Sequence, residues 1–412
     1  MRHKIFFPLI ILTLSIFSSP VLGFYEKEGE DSSLELRGMI RLYGSAYRNP
    51  NNDILYGERT NSGLAGLARI IMEAQLGEDL YCEFNTYQTY IPSHMVSMQA
   101  GLGTALDVER SSAVEWSLSN SAYVHTAVDR LNFRWSKGRL DLIVGRQPIN
   151  LATTFFFSPN DFFAPFAAEA FYRIYKPGVD AIRAEIRLGN FSQLSLINVM
   201  GYDPDPSSVN GWSDRPAKER ASYLARISSV FKNFELALNG GTIRDSDVFG
   251  GSLQGELLYH IGIRAEGNIS YPDNDTDDSH LELSIGIDRH WASSLDLRLE
   301  YFYHGTGSDN PSEYTAMLLN TRGLSSYLGR NYMAFGLGYE FTPLFSGNMS
   351  LITNMDDHSG LFSVYGVYSL SNETDLSFNL GIPFGKTPEG LLIESEFGLY
   401  PYSINIELRH YF

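Results

Sequence analysis

The carboxy-terminal stretch 402–412 constrains this chain more than any other. Tyr402, Ile404, Ile406, Leu408 and Phe412 share one parity, and Ser403, Asn405, Glu407 and Arg409 share the other. Alternation with period two is a β-strand that shows apolar side chains to one medium and polar ones to another. In a soluble half-buried strand the apolar side would cover a core. Here the same dyad recurs in segment after segment with almost no helical pattern between. The apolar side is therefore expected to face lipid and the polar side a wet lumen.

The repeats are clearest in a few places. Leu34, Leu36, Ile40 and Leu42 oppose Glu35, Arg37, Arg41 and Tyr43, while Ile182, Ala184, Ile186 and Leu188 oppose Arg183, Glu185 and Arg187. Leu281, Leu283, Ile285 and Ile287 oppose Glu282, Ser284 and Asp288. Short links at 77–79, 136–138, 189–190, 232–233, 291–294 and 371–374 alternate with mostly longer ones at 48–64, 91–119, 148–178, 204–219 and 304–329. Short turns at one end and long loops at the other are the habit of transmembrane barrels. The expected fold is all-β, a closed antiparallel transmembrane β-barrel of about 18 strands. Sixteen is the alternative, depending on a turn near 258–260 and on whether 390–399 adds strands. Trp135, Trp291, Phe231, Phe341, Tyr301 and Tyr303 fall where strands meet turns, as membrane-boundary girdles do.

The amino terminus reads as a secretory signal over residues 1–23. Arg2, His3 and Lys4 precede an apolar stretch, and Val21, Leu22 and Gly23 offer the cleavage site. Residues 24–33 are an acidic, turn-rich lead-in expected to be mobile, and 34–412 form a single barrel domain. The net charge of -17 argues against nucleic-acid binding, which needs basic surface. Cys82, the one cysteine, alternates with Leu80 and Phe84 and is given no redox role. His125, His260, His290, His304 and His410 are scattered without ligand spacing, so no metal or other cofactor is implied.

The ending resembles the closing strand of Gram-negative outer-membrane β-barrels, in which a terminal aromatic residue is the insertion signature. His410 departs from it, standing where another aromatic or apolar residue is usual. The resemblance implies Phe412 as the insertion signal and the cell outer membrane as the location. It also implies outer-membrane lipid, lipopolysaccharide and the barrel-assembly machinery as partners, with a homotrimer the usual arrangement and monomeric relatives common.

The connection 148–178 follows the fifth strand and carries Phe155, Phe156, Phe157, Asp161, Phe162, Phe163 and Glu169. A loop this apolar is costly when fully exposed. Folding inward would bury its phenylalanines and narrow the pore, as the loop after the fifth strand does in general porins, which the chain resembles in this respect. Gly145-Arg146-Gln147, followed by Pro159-Asn160-Asp161-Phe162 and Pro165, is similar to a motif of porin-like and alginate-export-like barrels. Arg37, Arg41, Arg69, Arg134, Arg183, Arg187 and Arg226 have inward parity and would form a basic wall, with Asp161 and Glu169 opposing it. The alternative is that these arginines pair with Glu35, Glu73 and Glu185.

The function expected is a porin passing small hydrophilic solutes or ions through a water-filled lumen, not an enzyme. A dedicated polysaccharide or anion channel is the alternative. A surface barrel enzyme using Asp356-Asp357-His358 is a further one, and there the solvated-turn reading of those residues is preferred.

Overall fold

The computed structural model describes residues 25–29, 31–92, 109–119, 122–170, 173–205, 207–208, 211–257, 260–273, 278–320 and 327–412. The proposed signal, 1–23, lies outside them. The strands are β1 (Tyr25–Glu28), β2 (Ser32–Arg48), β3 (Thr60–Leu76), β4 (Leu80–Pro92), β5 (Glu115–Ser119), β6 (Ala122–Lys137), β7 (Leu140–Gln147), β8 (Val179–Arg187) and β9 (Ser192–Val199). After a small hairpin of β10 (Tyr202–Pro204) and β11 (Trp212–Pro216) come β12 (Ser222–Phe231), β13 (Phe234–Ile243), β14 (Ser246–Leu257), β15 (Ile261–Pro272), β16 (His280–His290) and β17 (Leu295–His304). The helix α1 (Tyr314–Asn320) precedes β18 (Asn331–Thr342), β19 (Phe345–Asn354), β20 (Ser359–Ser371), β21 (Thr374–Phe384) and β22 (Tyr402–Tyr411).

Eighteen of these strands form one closed antiparallel barrel; β1, β5, β10 and β11 are additions to it. Residues 258 and 259 of the expected turn near 258–260 lie outside the described residues, and β14 and β15 on either side pair antiparallel down to Leu257↔Ile261. Residues 390–399 add no strand to the sheet. β2 pairs with β22 from Met39↔Tyr411 to Arg48↔Tyr402, and that seam closes the sheet. Closure gives every strand a partner on both sides, so its backbone groups are satisfied without water. Among the described residues no helix is long and apolar enough to cross a membrane.

The parity read from the sequence holds around the barrel. Leu36, Leu42, Ile182, Leu238 (68% exposed), Ile285, Ile404 and Ile406 (53%) stand outward, while Glu266, Ser284, Glu300 and Arg409 face inward and are buried. Cys82 lies opposite Ala74 and Phe133 on the outward face and is partly exposed. Trp135, Phe231 and Phe341 are outward and exposed beside the short turns.

Two details differ from expectation. The lead-in is not structureless: β1 pairs with β2 through Tyr25↔Leu36 to Glu28↔Ser33. It takes up the free edge of β2 where β22 runs out, so hydrogen bonding wins over the local acidity of this segment. The expected alternation of loop lengths also has exceptions, since β13 and β14 are joined at the long-loop end by Arg244 and Asp245 alone.

At the seam Gly38 and Phe412 exchange backbone hydrogen bonds, N–H to O at 2.6 and 3.0 Å. The Phe412 ring covers Gly38 so closely that a Cβ there would lie 2.3 Å from it. Gly38→Val should overpack this contact, a change that costs about 1–3 kcal/mol. The expected outcome is a smaller share of folded, heat-modifiable protein on detergent gels; wild-type recovery would show that the ring does not need the glycine.

Candidate functional site

The connection 148–178 leaves β7 through the Gly-Arg-Gln motif, and each motif residue has a structural task. Gly145 has φ +112°, and a Cβ there would meet the Leu131 carbonyl at 2.2 Å, so only glycine fits. Arg146 is buried and donates to both oxygens of Asp180 (2.7 and 3.1 Å) and to the carbonyls of Val128 and Ser111 (both 2.8 Å). Gln147 donates to the carbonyls of Ile143 and Ala181. At the other end of the loop, a Cβ on Gly178 would lie 2.2 Å from the Asp129 carbonyl. Both roots are thus clamped to β6.

From there the loop is tied to the inner face of β15 and β17. The Glu300 carboxylate accepts three consecutive backbone N–H groups, from Phe155 (2.8 Å), Phe156 (3.1 Å) and Phe157 (2.6 Å), together with the Ser284 hydroxyl (3.1 Å). Glu266 accepts the N–H of Thr153 (3.0 Å) and the hydroxyl of Thr154 (2.6 Å). Both acids are 1% exposed, and buried carboxylates persist only when donors surround them. Further along, the Asn268 amide donates to the Pro159 carbonyl and the Asn160 amide to that of Gly251, both at 2.9 Å.

The loop aromatics occupy different surroundings. Phe157 is 1% exposed and stacks on Phe302 with centroids 4.8 Å apart. Phe163 is buried with Ile149 and Leu151 against inward residues of β8, β9 and β12–β14, and Phe162 packs at the edge of that cluster. Phe156 rests on Gly336, where a Cβ would come within 2.9 Å of its ring. Phe155 stays half-buried between two guanidinium groups, Arg264 and Arg298, each 4.2 Å from the ring centroid. A cavity of about 280 Å³ lies beside it, lined by Glu169, Arg173, Arg298, Asn348 and Tyr365 among others.

Asp161 departs from expectation. It does not face the arginines: it is buried, forms an ion pair with Lys176 of the same loop, and accepts the Leu151 N–H at 3.1 Å. A carboxylate this deep needs a cation at contact distance, and Lys176 supplies it.

The seven expected arginines are all on inward parity, and most have an acid beside them. Arg37 meets Glu35 (3.0 Å) and Glu73 (2.7 Å), and Arg41 meets Glu407 (2.5 Å). Arg69 meets Asp129 (2.7 Å) and lies 4.4 Å over the ring of Tyr175, a loop residue. Arg183 pairs with Glu185 (3.5 Å), Arg187 with Asp141 (3.6 Å) and Arg226 with Glu235 (3.9 Å), while Arg134 stands over Tyr81. The row does not stop in the first half of the chain, because Arg264, Arg298 and Arg409 also face inward and carry acidic partners. Their parity was readable in the sequence. The roles of Glu266 and Glu300 were not, since nothing local to β15 or β17 announces a loop over a hundred residues away.

Asp356 and Asp357 are engaged rather than solvated. Asp356 accepts the N–H groups of Arg330 (2.6 Å) and Asn331 (2.8 Å), and Asp357 accepts those of Ser359 and Glu396 (both 2.7 Å). They fasten the outer turn.

A long apolar-faced barrel with a charged inner wall and a loop bonded across that wall is the porin type of architecture. No family model matches the chain, and no curated protein does. Solved structures share the fold. OccAB3 of Acinetobacter baumannii superposes with a TM-score of 0.59 at 10% identity, covering 92% of this chain and 99% of that one. A BenF-like porin from Pseudomonas fluorescens Pf-5 gives 0.55 at 9%, covering 92% and 98%. OccK2 (OpdF) of Pseudomonas aeruginosa, solved in complex with glucuronate, gives 0.53 at 11%, covering 94% and 97%.

Glu300→Ala would leave three consecutive N–H donors, the part-buried Phe155 and Phe156 and the buried Phe157, without their acceptor, and the buried one alone costs about 1–3 kcal/mol. The barrel should still fold while the 148–178 loop becomes cleavable by added protease. A loop as resistant as wild type would show that the aromatic packing alone retains it.

Proposed function

We propose that this protein is a passive channel of the Gram-negative cell outer membrane, admitting small hydrophilic solutes or ions. The observation that carries this reading is the bonding of loop 148–178 to Glu266 and Glu300 on the inner face of a closed barrel. A barrel of this size without such a loop encloses a wide aqueous bore. A loop bonded across it narrows the bore, and beside it Phe155, Glu169, Arg173 and Arg298 line a cavity of about 280 Å³. Transport then needs no energy input and follows the solute gradient. Deleting residues 155–166 should raise single-channel conductance in planar bilayers, and an unchanged conductance would place the loop outside the conduction path.

Selectivity is set by which arginines remain free to meet a solute. Arg187 is the more exposed of the β8 pair and holds its acid loosely, so its field reaches the water. Arg183→Glu combined with Arg187→Glu should shift the reversal potential in a salt gradient toward cation preference. No shift would remove both residues from the ion path.

A dedicated channel for acidic sugars is the second reading, favoured by the inward arginine row and by the glucuronate held in the similarly folded OccK2. Current block by alginate-like polymers that strengthens with chain length, and is absent with neutral sugars, would select it. Catalysis is not part of the proposal. The rim acids Asp356 and Asp357 already accept backbone N–H groups and side-chain amides.

A further inference from the structure

Another buried carboxylate sits above the loop, at the outer ends of β18 and β19. Glu396, in the connection between β21 and β22, is 2% exposed. One of its oxygens accepts the N–H groups of Leu328 (3.2 Å) and Gly329 (3.3 Å), the Asn354 amide (2.8 Å) and the Tyr332 hydroxyl. Leu328 and Gly329 belong to the connection between β17 and β18; Tyr332 and Asn354 belong to the barrel. A single side chain therefore joins two outer loops to the rim. Burial pushes its carboxyl up to about 7, and the donors from Tyr332, Gly329 and Leu328 work against that rise.

The residues beside this junction press on the loop beneath. Tyr327, adjacent to Leu328, packs its ring against Phe157 (centroids 5.5 Å), Phe302 (5.7 Å) and Tyr332 (5.2 Å). Phe397, adjacent to Glu396, is buried in one cluster with Phe157 and Ala168, and Tyr400 packs against it. Tyr314 of α1, with Leu328 and Ile393, forms a further cluster that holds the two outer loops to each other. The roof of Phe157 is thus built from segments that Glu396 gathers.

We propose that Glu396 is a positioning residue: by holding residues 327–330 and loop 385–401 together over Phe157, it keeps loop 148–178 seated and sets the pore aperture from the outer face. This rests on the reading that loop 148–178 narrows the pore. Mechanically the outer loops are then part of the filter.

The test is planar-bilayer recording on three proteins whose folding is checked by heat-modifiable gel mobility. Glu396→Ala removes the acceptor, and Tyr327→Ala removes the ring stack while leaving the polar junction intact. Each should raise open-channel noise and mean conductance, with the channel spending about 5- to 150-fold more of its time in the wider state, the usual span for coupling between sites. The double variant should be no worse than either single one, because both break one link. Folded variants with wild-type traces would overturn the proposal. If Glu396→Ala does not fold, Tyr327→Ala decides alone. The 155–166 deletion separates the two readings. A rise there with unchanged point variants sinks only the role of Glu396, whereas no rise there removes the constriction and this inference with it.

Discussion

The seam between β2 and β22 is the constraint on which the rest of this structure depends. A sheet whose outward side is leucine, isoleucine and phenylalanine cannot leave an edge of bare N–H and C=O groups in an apolar medium, where each would cost several kcal/mol. Closing the ring removes both edges at once. It also fixes parity for every strand, because the register of each pair is locked to the next around the circle. The inward set of side chains is then determined before any contact inside the barrel is considered.

Inside, the governing rule is that charge withdrawn from water must find a partner. Arginines find acids on the adjoining strand (Arg41 with Glu407, Arg264 with Asp288), two strands away (Arg69 with Asp129) or two residues along their own strand (Arg183 with Glu185, Arg298 with Asp296). Glu300 and Glu266 meet the same rule differently, taking backbone amides as their donors. The result is a loop seated in part through its main chain, so its position depends on the acids facing it.

Much of this was legible from residues alone, for reasons of periodicity. Arg183 and Arg187 had to be inward once Ile182 and Ile186 were outward, and eighteen strands followed from alternating segments and turns. The loop after the fifth strand announced itself through Phe155, Phe156 and Phe157. What could not be read was pairing at a distance. Asp161 looked like a charge facing the wall because its partner, Lys176, lies at the far end of the same loop. Glu396 carried no signal at all, since its meaning comes from Tyr332 and Asn354, which the fold alone brings to it. Tyr25–Glu28 looked featureless because a strand that exists only to complete another's edge needs no alternation of its own.

The meeting of the first and last strands has a consequence for biosynthesis. Ten ladder pairs join residues separated by nearly the whole length of the polypeptide, from Met39↔Tyr411 to Arg48↔Tyr402. No partly made chain can possess them. Without β22 the sheet is an open curl with two unpaired edges, and such edges are templates for pairing with other chains.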